Sequence, residues 1–141
     1  MGLGHNRTDL RANAQAKLDD SIMLVQNQRY SNAYYLAGYA VEIGLKACIA
    51  AQVAAETIPD KQFIEKVFRH DFKLLIGLAG LSAQLKEQQD RDPAFASNWA
   101  IAAEWTPDAR YEAIDPTTAE VLISAIADPG SGVLQWIKMY W

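Results

Sequence analysis

Leu10, Ala14, Leu18, Ile22 and Val25 recur at steps of three or four, forming one apolar stripe of an amphipathic helix. Arg11, Lys17, Asp19 and Asp20 fall off that stripe. The spacing predicts a first helix over about 8–28, preceded by a loose arm at 1–8. Ser31, a residue type suited to the N-cap, opens a second helix that runs to about Glu56 and stops before Pro59. This helix is apolar on most faces, which assigns it to the centre of a bundle. Asp60 is placed to cap a short helix through Val67, with Phe63, Ile64 and Val67 turned inward. The next helix begins near Asp71 and carries Phe72, Leu75 and Leu78; Gly80 ends or kinks it before Leu81 to Gln89. Asp92-Pro93 is a cap followed by proline at the first helical position, and the helix it starts ends near Glu104, ahead of Pro107. An ordered loop follows from Trp105 to Asp115. Asp115-Pro116 opens the last long helix, which Asp128-Pro129-Gly130-Ser131-Gly132 interrupts before a short helix with Val133, Leu134, Trp136, Ile137 and Tyr140. Strand-like alternation is absent, so the fold class is all-α.

The length of 141 residues fits one domain, 1–141. A chain that is 50% hydrophobic and 21% charged has a globular composition. A net charge of −4 and a pI near 5.1 disfavour a broad basic face for nucleic acid, so RNA is a less favoured partner. One cysteine, Cys48, excludes an internal disulfide, and with only His5 and His70 beside it neither a metal site nor a cofactor is expected.

Ala33 to Ala55 is apolar enough to resemble a membrane span, but Glu42 and Lys46 interrupt it. Each ionised group at a bilayer centre costs about 2.5–3.5 kcal/mol. A buried helix of a soluble bundle accounts for the segment better. No apolar run follows Met1 to Arg7 to make a secretory signal, and Asn6 stands where a myristoylation pattern needs Ser or Thr. The expectation is a cytoplasmic protein with a reduced thiol.

Phosphate loops, dinucleotide fingerprints, nucleophile elbows and metalloprotease motifs are absent. Cys48 lies mid-helix in an apolar stretch and reads as core rather than nucleophile. Gly38 and Gly44, with Ala37 and Ala40, read as positions where neighbouring helices approach closely. Some polar residues have two readings. Glu42 and Lys46 stand four apart in the favourable order, either as a structural pair or lining a polar pocket or dimer seam. His70 is either a satisfied histidine beside a capping Asp71 or part of that pocket. Trp105 and Arg110-Tyr111 either anchor their loop, with Arg110 on carbonyls or a carboxylate such as Glu42, or contact a ligand.

The run Tyr34-Tyr35-Leu36-Ala37-Gly38-Tyr39-Ala40-Val41-Glu42-Ile43-Gly44-Leu45-Lys46-Ala47 resembles the signature helix of HEPN (higher eukaryotes and prokaryotes nucleotide-binding) domains. His70-Asp71-Phe72 opening a helix, and Trp105 followed by Arg110-Tyr111 before the last helix, are also similar to that family. The resemblance covers about 8–141. It implies an up-and-down bundle of four to five helices, often a homodimer. The family includes RNA-cleaving toxins and proteins encoded beside minimal nucleotidyltransferases. Its ribonucleases carry Arg and His separated by four to six residues. Here the positions five to seven after Arg110 are Asp115, Pro116 and Thr117, those after Arg69 are Leu74, Leu75 and Ile76, and those after Arg91 are Ala96, Ser97 and Asn98. The motif is absent.

Three functions follow. The first is a non-catalytic HEPN-like binding or accessory protein, partnered with a nucleotidyltransferase or a toxin-antitoxin component. In it Tyr39, Glu42, Lys46, His70, Arg110 and Tyr111 contact a nucleotide or other phosphate-bearing ligand. The second is a metal-independent ribonuclease with a variant site, His70 as acid/base and Arg110 on the phosphorane charge. The third is a purely structural homodimerising protein. The break at 128–132 would also let the last helix hinge outward and offer Trp136, Tyr140 and Trp141 to a partner.

Overall fold

Side-chain caps start five of the helices in the computed structural model, which describes residues 5–141. Asn6 accepts from the Asp9 N–H at 2.8 Å and opens α1 (Arg7–Gln26). Asp60 accepts from Phe63 N–H at 2.7 Å and opens α3 (Lys61–Val67), which follows α2 (Tyr30–Gln52). Asp71 caps α4 (Phe72–Leu78), after which come α5 (Ser82–Arg91) and α6 (Pro93–Ala103), the latter capped by Asp92. A 3-10 turn at Pro107–Tyr111 precedes α7 (Pro116–Ala127), whose cap Asp115 accepts from Thr118 N–H at 2.7 Å, and α8 (Val133–Lys138) is the last helix. Each of these oxygens satisfies an amide that has no partner inside its own helix. The described residues contain helices and no strand, so the fold is all-α.

Twelve of the 23 residues of α2 are buried, and α1, α4, the 3-10 turn, α7 and α8 all pack against it. The central position expected from its hydropathy is the observed one. A turn at residues 27–29 joins α1 to α2, with Gln28 at φ 61, and the two long helices form an antiparallel hairpin. Gly38 and Gly44 are approach points. A Cβ on Gly38 would overlap the Trp105 indole, and one on Gly44 would sit 3.1 Å from Ile137 Cγ2.

The structure corrects several expectations. The loose arm ends earlier, because the Asn6 cap starts α1 at Arg7; residues 1–4 lie outside those described. Ser31 is not the cap of α2. It lies in the first turn, and its hydroxyl accepts the Ile114 N–H at 3.0 Å, tying down the segment before α7. The helix also stops at Gln52 rather than Glu56: residues 51–58 are exposed, no packing rewards further helix, and Glu56 takes φ 62. In α3 no residue is buried; Phe63 and Val67 are half-buried, but Ile64 is exposed.

The 128–132 break is a locked turn, not an outward hinge. Gly132 N–H donates to Asp128 O at 2.9 Å, and a Cβ at Gly132 would run into that same carbonyl. Ser131 Oγ donates to Asp92 Oδ2 at 2.7 Å and Asn98 Nδ2 donates to Ser131 O at 2.9 Å, so α6 holds the turn. Trp136 is consequently buried on its own bundle against Phe95, Trp99 and Tyr140. Trp141 returns to α1, where Arg11 lies 5.7 Å from its ring centroid and Arg7 donates to its carbonyl.

Candidate functional site

Glu42 is 1% exposed in the middle of the central helix, so its charge needs partners within the protein. It has two. Oε2 lies 3.2 Å from Lys46 Nζ, one helical turn on, and Oε1 lies 2.7 Å from His70 Nδ1. The second partner comes from the connection between α3 and α4. Asp71 caps α4, and Phe72 anchors that helix by stacking on Trp105, with centroids 5.6 Å apart and planes 13° apart. Trp105 in turn lies over Gly38, one turn before Glu42 on α2. A side chain at Gly38 would push the indole off and take the anchor of His70 with it.

The Lys46 side chain is 16% exposed and that of His70 49% exposed, so the cluster runs from a closed carboxylate to an open imidazole. An ionised carboxylate only accepts hydrogen bonds, so against it the imidazole donates through Nδ1 and Nε2 is left for solvent or ligand. Lys46 has three N–H donors, and Glu42 is its one hydrogen-bond partner among the described residues.

Tyr39 lies on α2 three residues before Glu42. Partial burial, then the Glu42 charge, then Tyr35 hold its phenol above the ordinary range. Its ring meets Tyr35 edge-on at 5.8 Å, and Tyr35 lies 6.1 Å from Trp105. Arg110 and Tyr111 sit apart from the carboxylate, on the 3-10 turn. The guanidinium stacks 4.8 Å from the Tyr111 ring centroid. The Tyr111 phenol first, then Tyr35, raises the Arg110 pKa above its ordinary value.

The six residues singled out in the sequence therefore form two groups rather than one pocket. Glu42, Lys46 and His70 are directly bonded, with Tyr39 beside them. Arg110 and Tyr111 form a separate exposed pair, linked to Tyr39 through Tyr35. No hydrogen bond or ion pair joins Arg110 to Glu42 or His70 among the described residues, so the reading that put Arg110 on Glu42 is corrected: its guanidinium turns to Tyr111 instead. Tyr35 was not among the candidates, although its spacing of four from Tyr39 on one helix face was the available signal. Cys48 is buried, donates weakly to Ile137 O at 3.6 Å, and its thiol is pushed up to about 12, chiefly by burial. It is a core residue.

No family model matches the chain, and no curated protein or solved structure matches it significantly. Among the described residues, no helix is long and apolar enough to cross a membrane.

Proposed function

We propose that this chain is a non-catalytic HEPN-like binding module whose Glu42–His70–Lys46 cluster contacts a phosphate-bearing ligand such as a nucleotide. The observation that carries the reading is a buried carboxylate holding two basic side chains whose remaining donors are uncommitted: Lys46 Nζ and the outer nitrogen of a half-exposed His70. Phosphate oxygens accept from both types of donor. The residues behind the family resemblance also cluster around one helix. The Tyr34–Ala47 run is at the centre of α2, His70-Asp71-Phe72 opens α4 against it, and Trp105 covers Gly38. In this reading the protein is a cytoplasmic homodimer that works beside a nucleotidyltransferase or a toxin-antitoxin component. Calorimetry against a panel of nucleoside mono-, di- and triphosphates tests it, with His70→Ala as control. Absence of heat at millimolar ligand, or heat unchanged in the variant, overturns it.

One observation favours a second reading, the variant ribonuclease. A half-exposed imidazole oriented through Nδ1 by a buried carboxylate is the arrangement a general acid/base needs. Arg110 would have to reach the phosphorane from the neighbouring turn. RNA degradation by purified protein that persists in His70→Ala, or is absent in both, removes this reading.

A further inference from the structure

A groove of about 230 Å3 opens where α3 stands off α2, and its walls are almost wholly apolar. Leu10 of α1, Ile49 of α2, Val53 just past its end, and Phe63 and Val67 of α3 line it. Their arrangement leaves apolar surface uncovered: α3 buries none of its seven residues, and Phe68, which follows it and also lines the groove, is 60% exposed. The titratable groups on the lining are Lys46 and His5, both basic. Lys46 faces two ways. One of its N–H groups is committed to Glu42, and the other two have no partner among the described residues although the side chain is mostly enclosed. Glu42 in turn divides its charge between Lys46 and His70.

We propose that this groove binds an apolar monocarboxylate, its chain lying between Ile49, Val53, Phe63 and Val67 and its carboxylate on Lys46 Nζ. The chemistry follows from the walls. An apolar chain buries the exposed face of α3, and a single anionic head meets the free donors of a single ammonium. Size follows from the volume: a cavity of about 150 Å3 takes a benzene ring, so this one fits a chain of roughly eight carbons. The site shares Lys46 with the cluster above but stands without the nucleotide reading.

The test is calorimetric titration of the full chain with sodium octanoate, with octan-1-ol as the uncharged probe of the same length. Octanoate is expected to bind one to one, and octanol about tenfold more weakly, the worth of a charge-assisted hydrogen bond. Lys46→Met should bring octanoate down to the octanol level. Ala50→Phe, a half-exposed groove position whose new ring fills the space, should abolish binding of both probes while melting no lower than the parent. Ala50→Phe should leave any nucleotide response intact, and octanoate should bind whether or not nucleotides do, so the two sites fail separately. Absence of octanoate binding at millimolar concentration, equal binding of octanol, or octanoate binding that survives Ala50→Phe overturns the proposal.

Discussion

Glu42 Oε1 lies 2.7 Å from His70 Nδ1, a bond that spans 28 positions and joins the central helix to the connection between α3 and α4. Removing the charge at its buried end leaves the mostly enclosed Lys46 without a counter-ion. Glu42→Gln is expected to lower stability by about 3 kcal/mol, the scale of breaking a buried pair from one side. Urea melts measure the global loss. Hydrogen exchange should show residues 61–70 opening first, because His70 is their tie to α2.

Gly38 and Trp105 make a second dependence. Gly38→Ala forces the indole off α2, and overpacking of this kind costs about 1–3 kcal/mol or more. Trp105→Leu alone should also destabilise, since it empties the stack on Phe72. Made together, the two changes should cost less than their sum, because the smaller side chain gives the new methyl room. Strict additivity in a double-mutant cycle contradicts the proposed contact.

Asp92 sets an acid limit. The Ser131 hydroxyl, followed by the Phe95 amide, holds its carboxyl below the ordinary carboxylate value. The folded pKa is depressed, so the stabilisation is present above the unfolded value near pH 4 and is lost as pH falls through the folded one. Asp115 is lowered in the same way, first by the Thr118 side chain and then by its amide. Chemical-denaturation midpoints from neutral pH to about pH 2 should fall steeply at the acid end. Asp92→Asn should flatten part of that fall, and Ser131→Ala should shrink it, because the folded value rises towards the unfolded one while the onset stays at the latter.

The Cys48 thiol, pushed up to about 12 and buried, stays protonated across the physiological range. Ellman's reagent should leave the native protein unlabelled and react with one thiol per chain in strong urea. Rapid native labelling would place Cys48 outside the core.

Helix starts were legible because capping is a local transaction. Asp60, Asp71, Asp92-Pro93 and Asp115-Pro116 announce themselves within four residues, and all four cap as read. The central place of α2 was legible from its apolar faces alone. What pairs across the chain was not. Ser31 looks like a cap, yet a distant amide at Ile114 claims its hydroxyl. The 128–132 sequence has the composition of a hinge, yet Asp92 and Asn98 from another helix lock it. Glu42 and Lys46 were read as partners because a helix sets their spacing. That His70 takes the other carboxylate oxygen while Arg110 turns to Tyr111 depends on how the 3-10 turn and α4 dock, which no local spacing encodes.

The placement of the tryptophans decides what spectroscopy of this molecule reports. Trp99, Trp105 and Trp136 are stacked in the core, and Trp141 rests by α1 and α8. None stands on α3 or lines the groove beneath it. Intrinsic fluorescence therefore follows the bundle around α2 and is blind to α3, a helix that buries none of its residues. An emission trace with a single transition describes that bundle alone, and watching α3 move requires a reporter attached to α3 itself.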